Sequence, residues 1–234
     1  MHRFPLLLQM MIVVHHLNES RSQRVLWLLE ELGIAYDIKR YQRDPKTMLA
    51  PASLRAVHPL GKSPVVSDGE LVLAESGAIV EYLVERYGNG RLIPPPGTEE
   101  RLRYRYWLHY AEGSAMPPLL LKLVFDRVES GPAPFFLRPL VRAIASQVKS
   151  AFIEPQLELH LDYLESELGK SAWFAGPELT AADIQMSFPI EAARSRAGLA
   201  ADRPYLLAFL ERIHARPAYR RALERGGEYA LARD

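Results

Sequence analysis

Residues 13–32 read VVHHLNESRSQRVLWLLEEL. Up to Leu17 the stretch is apolar and β-branched, the pattern of a buried strand, and the strand is expected to open at Met11. Asn18, Glu19 and Ser20 follow, offering cap chemistry for a helix that begins near Arg21. Val25, Leu26, Leu28, Leu29 and Leu32 then recur at helical spacing, and Gly33 is the residue type that ends a helix. Strand, turn and helix lead into a partly alternating segment at 36–41, so the spacing predicts a βαβ unit.

Downstream, a polar stretch at 42–51 leads to a short helix or turn before His58-Pro59-Leu60-Gly61. Residues 64–67 and 71–74 flank an Asp68-Gly69 turn and read as a β-hairpin. Glu75, Ser76 and Gly77 start a helix carrying Ile79, Val80, Tyr82, Leu83 and Tyr87, which 88–90 ends. The order βαβ-α-ββα predicts a small mixed sheet with helices on its faces over 11–88, an α+β domain. Residues 89–98, containing Pro94-Pro95-Pro96, read as a linker. Beyond it, 99–112, 118–128, 137–169, 180–196 and 204–229 are all helical in pattern, so 99–234 is expected to be an all-helical C-terminal domain.

Composition narrows the function. The chain has 234 residues, a net charge of +1, 48% hydrophobic and 24% charged residues, and no cysteine. Residues 1–88 carry ten basic and ten acidic side chains, so neither half is a basic module and a nucleic-acid partner is not expected. Without cysteine there is no disulfide, thiolate metal site or nucleophilic thiol belonging to the protein, and the composition fits a reducing, cytoplasmic compartment. Any thiol chemistry comes from a ligand. Residues 1–14 mimic a signal peptide, but Pro5 and Gln9 interrupt the apolar run and no small-x-small cleavage site follows, so 1–10 read as a short extension. No run has the length of a membrane span. His15 and His16 are adjacent and lack metal-ligand spacing, so no metal site is read.

Four stretches, 13–32, 58–66 (HPLGKSPVV), 73–83 (LAESGAIVEYL) and 176–184 (GPELTAADI), together resemble the glutathione S-transferase superfamily across both halves of the chain and in its order. Within it the sequence is most similar to the fungal and bacterial group whose linker runs into a Tyr-Trp-Leu-His-Tyr-Ala-Glu-Gly helix. The resemblance implies a thioredoxin-like N-terminal domain, an all-helical C-terminal domain, glutathione as co-substrate, a small hydrophobic electrophile and a homodimer. The implied activity is conjugation of the glutathione thiolate. Glutathione-dependent peroxidase or disulfide reductase activity, and a non-catalytic carrier, are the alternatives on the same scaffold.

Several site residues follow from the resemblance. Glu75 and Ser76 hold the γ-glutamyl end, Ser76 receiving the carboxylate and Glu75 meeting the α-ammonium; on its own Ser76 also reads as a helix cap. Ser63-Pro64 is a candidate cis peptide whose Ser63 backbone pairs with the cysteinyl part, although most relatives carry an apolar residue in place of Ser63. Lys62 stands where a cation meets the glycyl carboxylate, with a solvated lysine as the plain alternative. Ser20, four residues before Arg24, is the candidate catalytic hydroxyl that stabilises the thiolate. Asn18, Arg21 and Ser22 share its turn, and Ser20 also reads as an N-cap. Tyr106, Trp107, Tyr110 and Met116 are candidates for the electrophile pocket, against the plain reading of a core stripe. Glu112, on the same helix, is expected to support the glutathione site across the dimer interface. Thr180 to Asp183 reads as a capping box and is structural.

Overall fold

A computed structural model describes residues 11–199 and 202–232. The expected extension at 1–10 lies outside the described residues. The apolar run after Met11 forms β1 (Ile12–Leu17), and the turn after it leads into α1 (Ser22–Leu32), which Gly33 ends with φ 66°, a left-handed conformation that only glycine adopts without cost. The parallel strand β2 (Tyr36–Tyr41) completes the βαβ unit, with Ile12 opposite Tyr36 and His16 opposite Arg40. A one-turn helix, α2 (Ala52–Arg55), precedes the hairpin of β3 (Val65–Asp68) and β4 (Leu71–Ala74), and α3 (Ser76–Tyr87) closes the motif.

The sheet has the order β2-β1-β3-β4, with β3 antiparallel to β1. Val14, Val65 and Val66 of the sheet are buried, as are Leu28 and Leu29 of α1 and Ile79, Val80 and Leu83 of α3; α1 packs on β1, and α3 on β3 and β4. Burying each such side chain stabilises by about 1.5–3 kcal/mol.

The helical part contains α4 (Glu99–Tyr110), α5 (Met116–Ser130), α6 (Arg138–Val148), α7 (Glu154–Leu168), α8 (Ala181–Ala197) and α9 (Pro204–His214), followed by α10 (Pro217–Gly226). Two wide π-helical turns are present: Lys149–Ile153 interrupts the helix read as unbroken over 137–169, and Ala111–Ala115 joins α4 to α5 where the sequence pattern reads the end of one helix and a gap before the next. Each lies just before prolines, Pro117 and Pro118 in one case and Pro155 in the other; a proline has no N–H to return to the preceding turn, so the hydrogen-bond ladder shifts there. The expected helix at 204–229 is likewise split, because Pro217 starts α10 rather than continuing α9.

By their contacts the described residues divide into two compact units, one of residues up to 89 with 217–230, the other of residues from 90 to 216 with 231–232. The return of 217–230 to the first unit was invisible in a linear reading, which placed it with the helical domain. It has a clear cause: the Trp27 ring of α1 meets Tyr219 of α10 edge to face at 5.2 Å, and Glu30 pairs with Arg221 at 2.7 Å and Arg225 at 3.1 Å. In the second unit Tyr104, Trp107 and Leu108 of α4 are buried, as are Phe174, Ile184, Ile190, Leu206 and Phe209. The capping box forms as read, with the Thr180 N–H donating to Asp183 at 2.8 Å and the Thr180 hydroxyl at 2.9 Å. No helix among the described residues is long and apolar enough to cross a membrane, and no His, Cys, Asp or Glu cluster among them has the make-up of a metal site.

Candidate functional site

The turn between β1 and α1 is built around hydroxyl groups. Glu19 takes a left-handed φ of 51°, and the backbone reversal carries Ser20 inward, where it is only 4% exposed. Ser20 Oγ accepts the Ser22 N–H at 3.3 Å and lies 2.7 Å from Ser22 Oγ and 3.2 Å from Ser63 Oγ. Ser22 Oγ in turn lies 2.8 Å from His16 Nδ1. Burial, assisted by the Arg40 guanidinium across the strand pair, pushes the His16 imidazole down to about 4, against a weaker opposing hydrogen bond to the Gly226 backbone.

The four candidates of this turn are thereby separated. The Asn18 amide is committed to the chain after β2, its Oδ1 accepting the Arg43 N–H at 2.9 Å. Arg21 occupies the N-cap position of α1 without a side-chain cap bond. Ser22 is fully buried behind Ser20. Ser20 is thus the outermost hydroxyl of the Ser20–Ser22–His16 chain, and it lies before the helix rather than at its cap.

Ser63-Pro64 is a cis peptide, and it enters β3 beside β1. The unexpected Ser63 side chain is well used. Its hydroxyl donates to the His15 carbonyl at 3.1 Å and accepts the Leu17 N–H at 3.3 Å, tying this loop to the end of β1. His15 faces the other side of the sheet, 2.9 Å from both the Tyr41 and the Ser67 hydroxyls, and burial lowers its pKa. Lys62, next to Ser63, is exposed and has no ion-pair partner among the described residues.

The start of α3 has a different character. Glu75 stands at the N-cap with φ 71° and ψ 119°, an uncommon conformation for a residue with a side chain, and no side chain caps the helix. Ser76 is the first helical residue, 5% exposed, and its hydroxyl has no partner among the described residues. The plain reading of Ser76 as a cap therefore does not describe this helix. First-turn N–H groups, a hydroxyl and the positive end of the helix dipole make a ready anion site.

The described chain matches the sequence profiles of the glutathione S-transferase N-terminal domain at 9–85 and C-terminal domain at 137–224. It is 38% identical to glutathione S-transferase 3 of Schizosaccharomyces pombe over 92% of this chain and 88% of that one. With glutathione S-transferase 1 of Saccharomyces cerevisiae it shares 33% identity over 92% of this chain and 94% of the other. The chain belongs to the glutathione S-transferase family. Among solved structures, a glutathione S-transferase of Actinobacillus pleuropneumoniae superposes with a TM-score of 0.78 at 34% identity, covering 96% of this chain and 97% of that one. The fold of the family, a thioredoxin-like domain followed by a helical one, is the fold observed.

The candidate pocket residues of the family reading divide between core and surface within the helical unit. Trp107 is 1% exposed and sits among Phe174, Tyr163, Tyr106 and Tyr110 at centroid distances of 4.7–5.5 Å, which makes it a core residue and corrects the expectation that it lines a pocket. Aromatic rings at helical spacing gain most from packing inward, and Trp107 does so. Tyr110 and Met116 are buried as well, Tyr110 with its hydroxyl on His160. Tyr106 is 47% exposed and its hydroxyl accepts from Tyr163 at 3.1 Å. Glu112 falls in the π-helical turn after α4, not on the α-helix itself. The sequence reading missed Ser22 and His16 as members of the hydroxyl chain. The signal available was the pleat of β1, which sends neighbouring histidines to opposite faces and so gives them different partners.

Proposed function

We propose that the protein is a glutathione transferase that conjugates the glutathione thiolate to small hydrophobic electrophiles, with Ser20 donating a hydrogen bond to the sulfur. Glu75 and Ser76 bind the γ-glutamyl end, the Ser63 backbone ahead of cis-Pro64 pairs with the cysteinyl part, and Lys62 meets the glycyl carboxylate. The observation that carries the proposal is the pair of helix starts in one thioredoxin-like unit of this family: an inward hydroxyl before α1 and a start of α3 that no side chain caps. A free thiol ionises near 8.5, so only a few per cent is thiolate at neutral pH, and each unit by which the site lowers that value requires about 1.4 kcal/mol of preferential thiolate binding. A donor such as Ser20, beside a helix N-terminus, is of the kind that supplies it.

Tyr106, with Tyr110 and Met116 behind it, is the proposed contribution of α4 and α5 to electrophile binding. Residues 89–98 serve as linker between the glutathione-binding and helical domains. The reading includes a homodimer in the cytoplasm, supported by family membership and by a cysteine-free composition that suits a reducing compartment. Activity against aryl halides, hydroperoxides and glutathionyl disulfides, with glutathione supplied, tests the reaction class. Turnover of aryl halides above the other two supports conjugation, and activity confined to hydroperoxides or disulfides replaces it. Sedimentation at micromolar concentration tests the dimer, which a monomer alone would refute.

A further inference from the structure

The turn that carries Ser20 inward is gripped from behind by a side chain that follows β2. The Arg43 guanidinium donates to three backbone carbonyls: Nε to Asn18 at 3.2 Å, Nη2 to Glu19 at 3.4 Å and Nη1 to Met48 at 3.1 Å. The Arg43 N–H donates to Asn18 Oδ1 at 2.9 Å, and the Asn18 N–H donates to the Tyr41 carbonyl at 3.2 Å. Asn18 is thereby tied to the end of β2 through its N–H, its side chain and its carbonyl. The far end of the grip is ordered as well. Asp44 Oδ1 accepts the N–H groups of Lys46 at 2.9 Å and Thr47 at 2.7 Å, and the Asp44 carbonyl accepts the Met48 N–H at 2.8 Å, so the loop that presents the Met48 carbonyl is closed on itself.

The two carbonyls of the turn lie on either side of one Cα. That of Asn18 belongs to the peptide plane before Glu19 and that of Glu19 to the plane after it, so a group that holds both fixes φ and ψ of Glu19. Glu19 sits at φ 51°, a left-handed conformation that a residue with a side chain takes at a cost. Without the grip, rotation about the Glu19 Cα relieves that cost, and Ser20, the next residue, swings with the peptide. The Glu19 carboxylate accepts the Ala230 N–H at 3.0 and 3.1 Å, but that exposed bond holds the side chain and leaves the peptide planes free to turn. Ser20 has little tolerance for such a turn. Its Oγ meets Ser22 Oγ at 2.7 Å and Ser63 Oγ at 3.2 Å, and hydrogen bonds weaken steeply as their angles close.

We propose that Arg43 is a positioning residue for the conjugation reaction: by gripping the peptides on both sides of Glu19 it holds the turn that aims the Ser20 hydroxyl at the glutathione sulfur, a role that rests on the reading of Ser20 given above. The role calls for arginine. A planar guanidinium presents its donors in a fixed fork, and here three nitrogens reach three separate carbonyls. A lysine ammonium carries the same charge at a single point and cannot span that set. The turn therefore uses the shape of the group rather than its charge.

The test reads the pKa of the glutathione thiol in the complex, by ultraviolet titration of the thiolate, in Arg43→Lys, Arg43→Gln, Ser20→Ala and the double variant Ser20→Ala/Arg43→Lys. Arg43→Lys is expected to raise that pKa by at least about half a unit and to lower turnover at neutral pH about 3- to 10-fold, with glutathione KM within about 2-fold. Arg43→Gln is expected to do at least as much. In the Ser20→Ala background Arg43→Lys is expected to add nothing, because a residue that acts only through Ser20 has no hydroxyl left to aim. Loss of stability alone lowers the amount of active enzyme without moving the thiol pKa of the molecules that bind glutathione, so the titration separates positioning from folding. Should Arg43→Gln fail to fold, Arg43→Lys, which keeps the charge and the aliphatic stem, carries the expectation by itself. A thiol pKa equal to the parent's in Arg43→Lys overturns the proposal, and so does a shift of equal size with and without Ser20. Both of those outcomes leave Ser20 in its role when Ser20→Ala itself shifts the pKa. A pKa unmoved by Ser20→Ala overturns instead the reading on which the role of Arg43 rests.

Discussion

The two helix starts of the first unit solve opposite problems. Ahead of α1 three hydroxyls and an imidazole are paired with one another within 3.3 Å, and little is left over except the orientation of one hydrogen on Ser20. At α3 no side chain caps the helix, the Ser76 hydroxyl has no partner among the described residues, and Glu75 is held at a positive φ. A start that leaves its donors open suits recognition of an anion that arrives from solution. One that spends them internally suits control of where a proton sits. In the proposed transferase the first assignment falls to the γ-glutamyl end and the second to the sulfur, so substitutions at the two starts separate turnover from binding.

The largest expected effect is that of Ser20→Ala. Turnover falls 10- to 1000-fold, the range for removal of a donor that stabilises a developing or bound anion, and the pKa of bound glutathione rises by a unit or more. Affinity for glutathione changes little, since the contacts at Glu75, Ser76 and Ser63 remain. Ultraviolet titration of the complex, with Asn18→Ala, Arg21→Ala and Ser22→Ala measured in parallel, checks this. A shift in one of those three with none in Ser20→Ala would transfer the role to that neighbour.

Next in size is a dependence of stability on pH. The His16 imidazole is held down to about 4 in the folded protein, against 6.5 for the unperturbed group, so the unfolded chain binds its proton first as pH falls. The stability it contributes is present in full above about 6.5 and is lost on the way down to about 4, at up to about 1.4 kcal/mol per pH unit and about 3 kcal/mol in all. Carboxylates such as Glu30 and Glu167, which their basic partners hold below the usual range, add a loss of the same sign at lower pH. The contribution of His16 is therefore read as the difference between the parent and His16→Asn in denaturant midpoints across pH 7 to 4. Parallel curves would remove the imidazole from the acid response.

At the other helix start, Ser76→Ala is expected to weaken glutathione binding by about 1.5–3 kcal/mol, the worth of a charge-assisted hydrogen bond, with the thiolate pKa of the complex unmoved. Because the Ser76 hydroxyl does not cap α3, thermal stability stays close to that of the parent. Calorimetry and a melting curve together check the pair of outcomes. A loss of stability without a loss of affinity would make Ser76 structural after all.

Much of this was legible in the sequence because the physics is local. Strand, turn and helix at 13–32 show in periodicity, the hairpin in Asp68-Gly69, and the capping box in the spacing of Thr180 and Asp183. What escaped depends on residues far apart in the chain. The packing of α10 on α1 joins Trp27 to Tyr219 and Glu30 to Arg221, and no window of sequence contains both partners. His16 looked inert beside His15, since two adjacent histidines have no ligand spacing; only the pleat of β1, the turn at Glu19 and the returning Gly226 give His16 its neighbours. Trp107 and Tyr106 are consecutive aromatics, and which of them faces inward was decided by Phe174 and Tyr163, more than fifty residues away.

The smallest expected effect is also the sharpest test of how the α1 turn works. The Ser63 hydroxyl donates to the His15 carbonyl and accepts from the Leu17 N–H and, at 3.2 Å, from Ser20. Ser63→Ala removes those bonds at a net cost of about 0.5–1.5 kcal/mol of stability each at most, partly recovered by burial of the methyl group. Glutathione affinity is expected to hold, because the proposed pairing uses the Ser63 backbone. Turnover is expected to stay within about 3-fold of the parent, because Ser20 keeps its own hydroxyl and its shorter contact to Ser22 when the acceptor on Ser63 is removed. Steady-state kinetics on Ser63→Ala beside Ser20→Ala decides the matter. A loss in Ser63→Ala as large as that in Ser20→Ala would mean that the cis-proline loop, and not Ser22, sets the direction of the Ser20 hydroxyl.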